Sequence, residues 1–104
     1  MRRTGIAAVS LITLLPLTAL ADTAARGEAI VRENCAACHG VTQDDASPNP
    51  RAIPFRFLER LYPLQYLEEA LVEGITVGHE MPEFVLDTAQ MTAVIQYLDS
   101  IQLR

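Results

Sequence analysis

Apolar residues recur along this chain in changing rhythms. Near the start, Ile6, Ala7, Ala8, Val9, Leu11, Ile12, Leu14 and Leu15 form a dense apolar run behind Arg2 and Arg3. Small residues follow and close with Ala19-Leu20-Ala21 before Asp22. From about Thr23 to Cys38, Gly27, Ile30, Val31, Asn34, Cys35 and Cys38 return at three- and four-residue steps, which predicts a helix. Gly40 stands where its stop is expected. Val41 to Pro54 is polar, punctuated by Pro48, Pro50 and Pro54, and predicts a loop. Phe55, Leu58 and Leu61 predict a short helical turn. Pro63 then opens a second helix with Leu64, Leu67, Ala70 and Leu71 on one face and Gly74 at its exit. Ile75 to Leu86 is irregular, broken by Gly78 and Pro82. Asp87 with Gln90 forms a capping-box pattern, and Met91, Val94, Ile95, Leu98 and Ile101 then trace one helical stripe. No segment alternates as a strand does. The pattern predicts an all-α fold of three to four short helices around a long central loop, and loops of that length in compact domains usually carry function.

The first run is of a different kind from the rest. A short basic region, an apolar stretch and an A-x-A site have the form of a secretory signal peptide. The stretch is short for a spanning helix and is interrupted by Pro16, so removal is expected rather than retention as an anchor. The expected division is residues 1–21 as leader and 22–104 as one domain, placed by export in the periplasm. Removing the leader takes both Arg2 and Arg3 and no acid, so the net charge moves from −5 to −7. The chain contains no lysine. Such an acidic surface excludes ordinary nucleic-acid binding, which needs basic groups to neutralise phosphates. A domain this small buries a modest fraction of its surface and often needs a disulfide, metal or cofactor to be stable.

Both cysteines lie in one pentapeptide, Cys35-Ala36-Ala37-Cys38-His39. Two thiols at this spacing can add across the two vinyl groups of a haem, and the adjacent imidazole can reach the iron. Cys-x-x-Cys-His is the signal for c-type haem attachment. The other readings are weaker in chemistry. A Cys35–Cys38 disulfide would close too short a loop to stabilise the fold much. A dithiol oxidoreductase would place the motif in a βαβ setting, and zinc would need a fourth ligand from His79, forty residues away. A sixth iron ligand must come from downstream. Met91 lies on the apolar stripe of the last helix and reads as core. Met81 sits in the irregular Gly78-His79-Glu80-Met81-Pro82 segment, where a proline stiffens the chain beside the sulfur. Met81 is therefore the expected ligand, with His79 its rival.

At these residues the chain resembles a class I cytochrome c of the small bacterial monohaem type. The resemblance covers essentially all of residues 22–104: a helix ending in Cys-x-x-Cys-His, a proline-containing loop, a middle helix, a Met-Pro segment and a C-terminal helix. It implies a cytochrome c fold wrapped around one covalently attached haem c per chain. Cys35 and Cys38 would be the attachment points, with His39 and Met81 the axial ligands. It implies that the terminal helices cross closely at a glycine, a role that fits Gly27 and Val31 against Val94 and Tyr97. It also implies a loop carbonyl accepting a hydrogen bond from the far nitrogen of His39, for which Pro48, Pro50 and Pro54 compete. The chain departs from lysine-ringed relatives, because its basic groups are all arginines.

The expected function is that of a periplasmic electron carrier between protein partners, not an enzyme. The alternative is a haem subunit of a periplasmic dehydrogenase or reductase, with Pro54-Phe55-Arg56-Phe57 as core or docking patch. A ligand sensor would need a labile sixth site. Acidic groups at Asp44-Asp45, Glu68-Glu69-Glu73 and Glu80-Glu83 would steer a basic partner, if they are not simply a solvated face. Arg51, Arg56 and Arg60 are candidates for pairing with haem propionates.

Overall fold

The computed structural model of the chain describes residues 4–10, 15–73, 81 and 85–104. Among them there are three α-helices, one short 3₁₀ helix and no strand. Helix α1 spans Leu15–Asn34, the 3₁₀ helix Phe55–Arg60, α2 Leu64–Glu73 and α3 Thr88–Ile101. The expected Gly74 exit, His79, and the breakers Gly78 and Pro82 lie outside the described residues.

The first helix differs from its expected bounds at both ends. It begins at Leu15 and runs through Ala19, Leu20 and Ala21, residues with good intrinsic helix propensity. It ends at Asn34, after which the chain tightens into turns. Cys35 N–H still donates to Val31 O (2.8 Å), but Cys38 and His39 N–H both donate to Cys35 O (3.2 and 2.9 Å). The motif is thus folded as a turn on the end of α1. Among the described residues, no helix is long and apolar enough to cross a membrane.

Helix α3 starts as its sequence predicts. The Asp87 carboxylate accepts from Gln90 N–H, and the Gln90 side chain accepts from Asp87 N–H (2.8 and 3.0 Å). Its buried face is Met91, Ala93, Val94, Tyr97, Leu98 and Ile101. Helices α1 and α3 form the most extensive packing in the fold. They cross at Gly27, where an added Cβ would overlap the Ala93 carbonyl and come 3.0 Å from Tyr97 Cβ. The close approach at Gly27 is as expected, with one change of partner: Ala93 rather than Val94 stands opposite, and Val94 turns toward the interior. Val31, Val41, Leu58, Leu71 and Leu98 are among the residues that join this seam into one core.

Candidate functional site

The central feature is a cavity of about 460 Å³ between α1, the 3₁₀ helix, α2 and α3. Its walls are almost wholly aliphatic and aromatic, including Ile30, Leu58, Leu67, Leu71, Val94 and Leu98. That volume lies in the range of cofactor sites, which are typically about 300–1,000 Å³ with few polar groups. Cys35, His39 and Met81 all line it. Cys38 is half-buried at the edge of the turn and is not part of the lining. Met91 is buried in the core, as its place on the stripe predicts. His79 lies outside the described residues.

His39 is fixed by the loop that follows it. Its Nδ1 lies 2.7 Å from Ile53 O. A carbonyl can only accept, so Nδ1 carries the proton and Nε2 keeps its lone pair for a ligand. The acceptor is therefore none of the three proline carbonyls. It belongs to the residue before Pro54, because a proline holds its predecessor in an extended conformation and so aims that carbonyl. Pro54 itself is extended (φ −62°, ψ 133°), and its carbonyl accepts instead from Phe57 N–H (3.1 Å). The loop base is closed by Phe55 N–H donating to Gly40 O (2.8 Å) and by Asn49 N–H donating to Cys38 O (3.1 Å). Gly40 is needed here, since an added Cβ would come 2.8 Å from Asp45 O. The Phe55 ring lies against the imidazole, with centroids 4.5 Å apart and planes at 32°.

Asp45 organises the rest of the loop. Its carboxylate accepts from Val41 N–H (3.0 Å) and Thr42 N–H (2.8 Å). Desolvation pushes its pKa up, but the amide and hydroxyl bonds from Thr42 and Val41 together outweigh that and hold it below the ordinary carboxylate value. Arg56 donates to the Asp45 main-chain carbonyl and lies 3.9 Å from its carboxylate. Tyr97 O–H donates to Val41 O (2.6 Å), tying the loop to α3.

These contacts place several of the charged groups singled out in the sequence. Arg56 is turned to Asp45 and stacked over Phe57 (4.6 Å), with Arg60 on the same ring (4.8 Å); neither arginine lines the cavity. Asp45, one of the acidic groups expected to steer a partner, is also engaged within the loop. Glu80 and Glu83 lie outside the described residues. The Phe pair divides: Phe55 is cavity wall, while Phe57 sits under two guanidinium groups.

The chemistry of the motif is equally specific. Burial pushes the Cys35 thiol up to about 11, so it stays protonated at neutral pH. A dithiol redox centre needs the opposite, a thiol shifted toward thiolate. Among the described residues no group of three or more His, Cys, Asp or Glu is placed to hold a metal ion; His79, the fourth ligand a zinc site would need, lies outside them. The apolar walls, the oriented imidazole, the thiol at the cavity edge and the thioether in the lining fit a haem. Sequence reasoning missed Ile53 and Asp45, the first because its signal is only its place before a proline, the second because it looks like one more surface acid.

Residues 22–98 match the family model described as cytochrome c oxidase, cbb3-type, subunit III. No curated protein and no solved structure matches the chain.

Proposed function

We propose that this chain, which belongs to the cytochrome c family of the cbb3-type subunit III kind, is a periplasmic carrier of single electrons between protein partners. Membership of that family makes haem-based electron transfer its chemistry. When bound, haem c supplies the ferric/ferrous couple. The residues of the chain do the remaining work. Cys35 and Cys38 would tether the group covalently, and His39 would offer Nε2 as a ligand to its iron. Met81 would offer its sulfur as a further iron ligand, and a thioether ligand raises the reduction potential. Ile53 O holds the His39 proton on Nδ1, and the aliphatic walls exclude water. The leader, residues 1–21, is removed on export, leaving one haem on residues 22–104.

One observation carries this reading: an imidazole with its tautomer set by Ile53 O shares an apolar cavity with Cys35 and Met81. The test is the optical spectrum of the holoprotein in both oxidation states, repeated on Met81→Ala. The expected result is a low-spin spectrum in both states, with the methionine–iron charge-transfer band lost and carbon monoxide binding gained in the variant. Ready carbon monoxide binding by the unaltered ferrous protein would instead mark an open sixth site.

A second reading makes the chain a subunit of a periplasmic oxidoreductase, and the matched family is itself described as an oxidase subunit. Tyr66 of the cavity lining is exposed, as are Leu61 and Val85, each the chain neighbour of a lining residue, and exposed apolar side chains of this kind suit a standing interface. Co-purification of a catalytic chain from native extract separates the two readings.

A further inference from the structure

A hydrogen bond from Nδ1 fixes one point of an imidazole ring and leaves its plane free to rock. The second contact on His39 is the Phe55 ring, 4.5 Å away between centroids. Phe55 is itself held at both ends of its peptide unit. Its N–H donates to Gly40 O (2.8 Å), on the residue next to His39, and its carbonyl accepts from Gln102 Nε2 (2.7 Å). Gln102 caps the C-terminus of α3. Its amide also donates to Leu98 O (2.8 Å) and accepts from Glu59 N–H (3.0 Å). Leu103 N–H adds a bond to Arg56 O (2.9 Å) beside it. One side chain thus serves three main-chain groups, from α3 and from two points of the 3₁₀ helix. An amide placed so is a rigid bracket, because each unmade bond would leave a part-buried main-chain group without its partner.

We propose that Phe55 is a positioning residue that sets the rotation of the His39 imidazole plane, and that Gln102 holds Phe55 there from the C-terminal helix. The inference rests on the reading of His39 as axial ligand. The direction of a planar axial ligand governs how unpaired spin is distributed over a low-spin ferric porphyrin. The proton shifts of the porphyrin methyl groups report that distribution, which fold stability alone does not move.

The experiment is proton NMR on the ferric holoprotein of the full chain, for wild type, Phe55→Leu and Gln102→Glu. Gln102→Glu keeps an acceptor for Glu59 N–H but loses donation to the Phe55 and Leu98 carbonyls. Phe57→Leu is the control, on the same 3₁₀ helix but outside the cavity lining. The expected result is a ring-to-ring contact between Phe55 and His39 in wild type and a changed spread of methyl shifts in Phe55→Leu. A smaller change is expected in Gln102→Glu, and none in Phe57→Leu. Absence of the wild-type contact, unchanged shifts in both variants, or an equal change in Phe57→Leu would overturn the inference. Should one variant fail to fold, the wild-type contact and the other variant decide. If wild type shows no hyperfine-shifted His39 ring, the ligand reading itself fails, a result distinct from a shifted ring that ignores Phe55.

Discussion

On the histidine side of the cavity, residues 39–55 are secured by polar bonds: His39 to Ile53, Phe55 to Gly40, Val41 and Thr42 to Asp45, and Tyr97 to Val41. The opposite wall, from α2 to Met81 and Leu86, is secured differently. Its described residues meet the core through Leu67, Ala70, Leu71, Met81 and Leu86, and one main-chain bond, Leu86 N–H to Leu71 O (3.0 Å), joins the two ends of the segment. A polar clamp holds its shape whether or not the cavity is filled. An apolar wall depends on having something to pack against. Among the described residues, the histidine side is thus held by polar bonds and the opposite wall by apolar packing.

The harshest way to break this comparison is to remove the filling. Left unfilled, a cavity of about 460 Å³ with almost wholly apolar walls forfeits much of the packing between α1, α2 and α3. Domain stabilities are only roughly 5–15 kcal/mol. Cys35→Ala/Cys38→Ala is therefore expected to leave a largely unfolded chain, and intact helicity by circular dichroism would refute this. Next in size is the seam on which both walls stand. Gly27→Ala drives a methyl into the Ala93 carbonyl, so the helices must part at a cost of about 3 kcal/mol. The thermal midpoint of the holoprotein should fall by more than about 10 °C.

Met81→Ala sharpens the comparison, because it touches one wall alone. Met81 is half-buried, so the loss should sit near the low end for such truncations, about 2 kcal/mol. Amide exchange in residues 40–55 should be unchanged while that of α2 quickens; uniform quickening would show the walls to be one unit. The smallest effect is in acid. Asp45 has a depressed pKa in the folded state, so its contribution is present above the unfolded value of about 4 and is lost as pH falls through the folded value. Glu59, held low by Arg104, titrates in the same window. Urea midpoints of wild type and Asp45→Asn, compared from pH 6 down to pH 3, isolate the Asp45 share. The gap between the two proteins should narrow as acid is added.

Where sequence reasoning went wrong is instructive. Helix periodicity carried α1 through to Cys38, yet the helix stops at Asn34, because the loop draws Cys38 and His39 into a tighter turn. No local pattern reveals that a carbonyl eleven residues upstream accepts from the Arg56 guanidinium. The bracket formed by Gln102 has no local signal in the sequence either. Its partners are at Phe55 and Glu59, more than forty positions away, and only folding brings them within reach.

By itself the sequence determined what is written in adjacent residues or in regular steps. Cys35, Cys38 and His39 are legible because they stand together in one pentapeptide. The capping box at Asp87 and Gln90, the stripe of α3 and the lack of strands are legible because helices repeat every three to four residues. Gly27 could be read as a close approach because only a residue without a Cβ permits one. Tertiary structure decided the rest: that Ile53 rather than a proline orients His39, that Asp45 binds the amides of Val41 and Thr42, and that Phe55 meets the imidazole. Each of these depends on where a loop closes in space, and loop closure joins positions whose separation along the chain carries no period to read.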